Sequence, residues 1–175
     1  ANHLNNTDLR ATTGADVNLF WPCYGATADT TACTIDSYTT DSTHKITIYT
    51  PQGGTESINN WRHEGKWNDS KAHIDVTNIT NVVKISCDYI ELDGIQIRNY
   101  LTTNYGNRNI INYAGSGEFI LKNSICFGEE ANEAFTNRPS IYISSAGSPT
   151  ATLSNVIIYK LGGSAGNGAM IELLE

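Results

Sequence analysis

Between residues 61 and 67 the chain places Trp61, Arg62, His63, Glu64 and Trp67 within seven positions. That mixture suits sugar recognition: an indole offers a flat apolar face to a pyranose ring, and Arg and His supply hydrogen bonds to its hydroxyls. A competing structural reading turns both tryptophans inward and clamps the loop onto its neighbours, with Arg62 paired to Glu64 or to a backbone carbonyl. Other groups with chemistry are sparser. Glu129, Glu130 and Glu133 share the acidic stretch GEEANEAF, which lacks the alternating Asp/Asn/Gly spacing of a compact calcium loop and reads as solvated. His3, His44 and His73 stand apart from one another and read as satisfied or exposed side chains. Four cysteines without a C-x-x-C pair argue against both a zinc site and a disulfide scaffold. Cys23 and Cys33 flank a short loop and are a candidate disulfide, while Cys87 and Cys126 read as small buried apolar side chains. No cofactor and no resident metal are expected.

The elements that must position these groups are strands. The chain has 175 residues, enough for one domain with a real core, and is rich in Asn, Thr, Gly, Ile and Tyr with a single Met. Helix-forming runs are scarce, and the composition leans to β structure. A net charge of −7 without a clustered basic face argues against a nucleic-acid partner. No run of about 18 apolar residues is present to span a membrane as a helix. The opening residues carry no charged-then-apolar leader pattern, which leaves a cytosolic chain, a processed chain or a piece of a longer protein open.

The stretch YIELDGIQIRN, residues 89–99, alternates, breaks at Gly94 and alternates again. Weaker copies follow as FILKNSICFG and ATLSNVIIYK. Leu92, Leu121 and Leu153 align at spacings of 29 and 32 residues. An upstream set, Val83, Ile111, Ile141 and Ile171, aligns at 28, 30 and 30, and Ile85, Tyr113, Ile143 and Leu173 keep step with it. Two strands recurring at one common period predict the coils of a β-solenoid, stacked in parallel about 4.8 Å apart. Alternation sends Leu92, Ile95 and Ile97 inward and Glu91, Asp93, Gln96 and Arg98 outward. Gly94, Asn123 and Asn155 fall at a bend that demands the left-handed conformation, and stacked Asn side chains there can bond up the column.

The series YIELDGIQIRN, LKNSICFG and LSNVIIYK resembles right-handed parallel β-helix proteins of the pectate-lyase-like superfamily. TIDSYTTDSTHKITIYTP followed by WRHEGKWNDSKAHIDV is similar, more narrowly, to β-helix proteins of bacteriophages and environmental bacteria. The resemblance implies an all-β, right-handed parallel β-helix of about four to five coils. Residues 1–16 form the cap, 17–50 the first coil with KITIYT as one of its strands, 51–72 a long loop, and 73–175 the regular coils. It also implies an extracellular or virion setting, and a string like Arg-His-x-Gly-x-Trp in similar proteins weights the tryptophan loop towards the structural reading.

Polysaccharide cleavage is the enzymatic alternative for such a fold, by a lyase or a glycoside hydrolase. A lyase needs carboxylates on neighbouring coils around calcium with a basic residue, and a hydrolase needs a carboxylate pair across a groove. The outward columns do not supply them: Glu91 stacks over Ile120 and Thr152, and Asp93 over Lys122 and Ser154, an arrangement that suits a surface ion pair. Outward positions grow apolar instead. Gln96 is followed by Ile125 and Ile157, and Arg98 by Phe127 and Tyr159, so this stripe needs a cover, either a loop of this chain or another subunit. Ile171 and Leu173 begin a further coil just before the sequence stops, which fits either a fragment or a filament joint. The expectation is a non-enzymatic structural or surface-binding module that self-associates as an oligomer or filament, with glycan contact as a further role.

Overall fold

The computed structural model describes residues 7–102, 108–130, 141–144, 147–159 and 171–173, and every regular element among them is a strand. In chain order these are β1 (Leu19–Pro22), β2 (Cys33–Ile35), β3 (Ile46–Tyr49), β4 (His73–Thr77), β5 (Asn81–Ile85), β6 (Ile90–Asp93), β7 (Gln96–Leu101), β8 (Asn109–Tyr113), β9 (Glu118–Lys122), β10 (Ile125–Glu130), β11 (Ile141–Ile143), β12 (Thr150–Ser154), β13 (Ile157–Tyr159) and β14 (Ile171–Leu173). From β3 onward each successive triplet gives one strand to each of three sheets. The first sheet runs β1-β3-β6-β9-β12, the second β4-β7-β10-β13, and the third β2-β5-β8-β11-β14. Every pairing between these strands is parallel. The all-β expectation holds, and the arrangement is compatible with a parallel β-solenoid.

The columns read from the sequence are the pairing register. Leu92 faces Leu121, which faces Leu153. Val83, Ile111, Ile141 and Ile171 form one line, and Ile85, Tyr113, Ile143 and Leu173 the next. One placement differs. The KITIYT strand, expected within the first coil beside the segment of β1, pairs as β3 with β1 on one side and β6 on the other. Ile48 lies 44 residues before its partner Leu92, because residues 51–72 are inserted between them; that length hides the repeat. Pro22 is tolerated in β1 because this strand is the outermost of its sheet.

Inward side chains from all three sheets make one core. Ile46, Ile85, Leu92, Ile97, Ile111, Phe119, Leu121 and Ile141 are 0–1% exposed, and the rings of Tyr113 and Phe119 stack 5.1 Å apart. Cys87 and Cys126 are buried as expected, and burial pushes their thiols up to about 11 and about 12. The bends between the first and second sheets use Gly94, Asn123 and Asn155 at φ of 75°, 48° and 52°. The two asparagine side chains form a ladder that ends on Asp93: Asn155 Nδ2 donates to Asn123 Oδ1 at 3.2 Å, and Asn123 Nδ2 donates to Asp93 Oδ1 at 2.9 Å.

The described part of the cap, residues 7–16, is irregular. Leu9 plugs the core end at 3% exposure, while Asp8 accepts bonds from Arg10 and Thr13. His44 sits between Asp41 and Asp16, each at 2.9 Å. His3 and the side chains of Glu129, Glu130 and Glu133 lie outside the described residues.

Candidate functional site

Residues 51–72 leave the first sheet after β3, cross the outer face of the second sheet and return to start β4. Backbone bonds tie the loop's two ends together: Trp61 N–H donates to Pro51 O at 3.0 Å, and Ala72 N–H to Trp61 O at 3.1 Å. Arg62 provides the clamp. Its Nε donates to Thr50 O at 3.1 Å and its Nη2 lies 3.0 Å from Asp93 Oδ2, with both side chains at most 16% exposed. The guanidinium passes directly over Gly94, where a Cβ would collide with it and would also stand 2.6 Å from Thr50 Oγ1. Gly94 is therefore required twice, by its backbone conformation and by the passage of Arg62.

Beyond Arg62 the loop settles on the outward column of the second sheet. Gln96, expected to face solvent, is instead fully buried beneath it. The reason is satisfied polarity: Gln96 Oε1 accepts from Asn68 N–H at 2.8 Å, and Nε2 donates to Asn68 O at 3.1 Å and Ala72 O at 3.3 Å. Trp67 lies edge-on to His73 at 5.6 Å and tilted against Phe127 at 5.7 Å, and its Nε1 donates to Asp69 at 2.7 Å. Arg98 spreads its guanidinium over Trp67 at 5.1 Å while pairing with Asp75. His73 is buried and bonded through Nδ1 to Lys71 O at 2.7 Å.

The four loop residues singled out from sequence thus separate. Trp67 covers the apolar stripe, and Trp61 is half-buried at the loop's base. Arg62 and His63 come together at the mouth of a groove of about 370 Å³, with Gln52, Asn123, Asn155 and Ile157 along its walls. His63 Nδ1 accepts from Gly65 N–H at 3.1 Å, so the ring proton is on Nε2, a buried atom turned towards the Asn123 backbone. Burial, helped by the Arg62 charge, holds this imidazole below the usual histidine range. The groove offers amide groups of the Asn ladder beside the apolar Ile157, a surface suited to a neutral, hydroxyl-rich ligand.

The carboxylates nearby are already engaged. Lys122 Nζ is 2.8 Å from Glu91 and 3.7 Å from Asp93, so the ion pair expected from the column is present, with Arg62 as a second and nearer partner of Asp93. Lys122 is raised above the ordinary lysine range chiefly by Glu91. Among the described residues, no group of three or more His, Cys, Asp or Glu is placed to hold a metal ion. All four cysteines are free thiols, with the candidate bond between Cys23 and Cys33 not formed.

Sequence reasoning missed three contributors: Gln96 as the loop's anchor, Thr50 as its hinge contact, and the Asn ladder as a groove wall. The anomaly of a lone Gln heading a column of isoleucines was the available signal for the first. Comparison of the chain with protein-family models, with curated proteins and with solved structures gives no match.

Proposed function

We propose that this chain is a right-handed parallel β-helix of the pectate-lyase-like kind, with five turns wound through the three sheets. In this reading it is a non-enzymatic assembly module of virion or extracellular type, joined side by side to further copies of itself. One observation carries it. The outward column of the second sheet is covered at Gln96 and Ile125, at 0% and 3% exposure, but at β13 Ile157 is 41% and Tyr159 55% exposed. β13 is the outermost strand of that sheet, and an exposed apolar edge of this kind favours association. A second copy is the occupant that would continue the cover. The groove beside Ile157, with His63, Asn123 and Asn155, is the place for glycan contact.

Light scattering of the purified protein, with negative-stain images of the same sample, tests the reading. Oligomers or fibres are expected, and Ile157→Lys combined with Tyr159→Ser should dissolve them while lowering monomer stability by only about 1 kcal/mol, through loss of the Tyr159–Phe127 ring contact. A monomer at every accessible concentration, or assemblies indifferent to those substitutions, overturns it.

A further inference from the structure

A second space opens at the opposite end of the core, beside β1 and β2. A cavity of about 290 Å³ lies among Trp21, Ile48 and Leu92 of the first sheet, Ile74 of the second, and Ile35 and Val83 of the third. Two features of the chain create it. The line that carries Val83, Ile111 and Ile141 further along begins with Cys33, a smaller side chain. Among the described residues the second sheet also has no full strand beyond β4 at this end; a bridge between Asp29 and Ile74 stands in its place. Further along the same lines the corresponding places are taken by Leu121, Ile97 and Ile111, all fully buried. Here Tyr24, Thr27 and Asp29, all exposed, mark the rim.

The wall selects for chemistry. Five of the six sheet residues named are aliphatic and the sixth is an indole. Burial foremost pushes the Cys23 thiol up to about 11, and Cys33 is raised for the same reason, so both thiols stay neutral. A charged guest would lose most of its hydration, because the polar liners Thr50, His73 and Gln96 are already bonded to backbone carbonyls, and an anion would also meet Asp29 at the rim. An apolar cavity of roughly half this volume already stays dry and accepts benzene. We propose that this cavity is a binding site for one small neutral aromatic molecule of one or two rings, held edge-to-face by Trp21 and Tyr24.

The test uses the whole chain with toluene and indole as neutral probes and benzoate as the charged control. Tryptophan side-chain N–H resonances report the place: saturable movement of the Trp21 signal is expected with the neutral probes, without movement of Trp61 or Trp67. Binding should also raise the thermal midpoint by mass action. Cys33→Leu and, independently, Ala72→Leu fill the space and should weaken binding by roughly tenfold or more. Absence of a saturable Trp21 response to both neutral probes overturns the proposal. So does an equal response to benzoate, or undiminished binding in both filled variants. If neither variant folds, the Trp21 response of the unaltered chain decides.

Discussion

Two ends of one column on the outer face of the second sheet invert what hydropathy would choose. At β7 the polar Gln96 is fully buried, whereas at β13, two strands along the same line, the apolar Ile157 is 41% exposed. The backbone is the same in both places, a parallel strand in the same register. What differs is the layer above. Residues 67–72 lie over Gln96, His73 and Phe127 and saturate the amide of Gln96 with backbone partners, so its burial is not penalised. On a wall of stacked parallel strands, exposure is set by which loop crosses the face and only secondarily by the side chain itself.

Gly94→Ala should abolish the difference most strongly. It puts a Cβ into the path of Arg62 and strains a backbone at φ of 75°, so a loss of about 2–3 kcal/mol is expected. Urea unfolding measures the loss, and tryptophan fluorescence should show the loop released. A change below about 0.5 kcal/mol would mean that the Arg62 clamp does not hold the cover. Trp67→Ala acts next. Removing its contacts with Phe127, His73 and Arg98 should cost about 1–2 kcal/mol. It should also make the covered end resemble the β13 end, seen as stronger self-association in light scattering.

The smallest effect separates the cover from the cap by pH. His63 belongs to the loop that carries the cover and its pKa is depressed by burial, so the unfolded chain binds its proton more readily than the folded one. Stability from this group is present above the unfolded histidine range and is lost as pH falls towards the folded value. His44 in the cap is raised, chiefly by Asp41 and then Asp16, and acts in the opposite sense: its contribution is present at lower pH and lost as pH rises through its elevated pKa. His63→Gln should therefore flatten the acid side of the unfolding profile, and His44→Gln the alkaline side. Asp8 and Asp41 add a further acid loss in both variants. Arg10 foremost holds the first well below the usual carboxylate range, and the Thr43 hydroxyl foremost holds the second there.

Much of the fold was legible because stacked parallel strands repeat one register along the chain. Leu92, Leu121 and Leu153 announce a shared column through spacing alone, and the bend residues Gly94, Asn123 and Asn155 follow from the left-handed conformation they must adopt. The stripe of Ile125, Phe127, Ile157 and Tyr159 was legible too, together with its need for a cover. The cover's identity was not, since no periodicity links Asn68 to Gln96 across 28 residues. The same limit misplaced β3, whose partner lies beyond the inserted loop, and separated Trp61 from Trp67, which sequence proximity had grouped.

Local alternation and the thirty-residue period by themselves determined strands, inward columns and parallel stacking, because each depends on backbone geometry that repeats with the chain. Tertiary structure alone decided which outward groups are buried, which carboxylate takes Arg62, and where the core is left unfilled. Those outcomes depend on a loop folding back over a wall and on a sheet ending one strand short. Both are contacts between distant segments, and no local pattern in the chain encodes them.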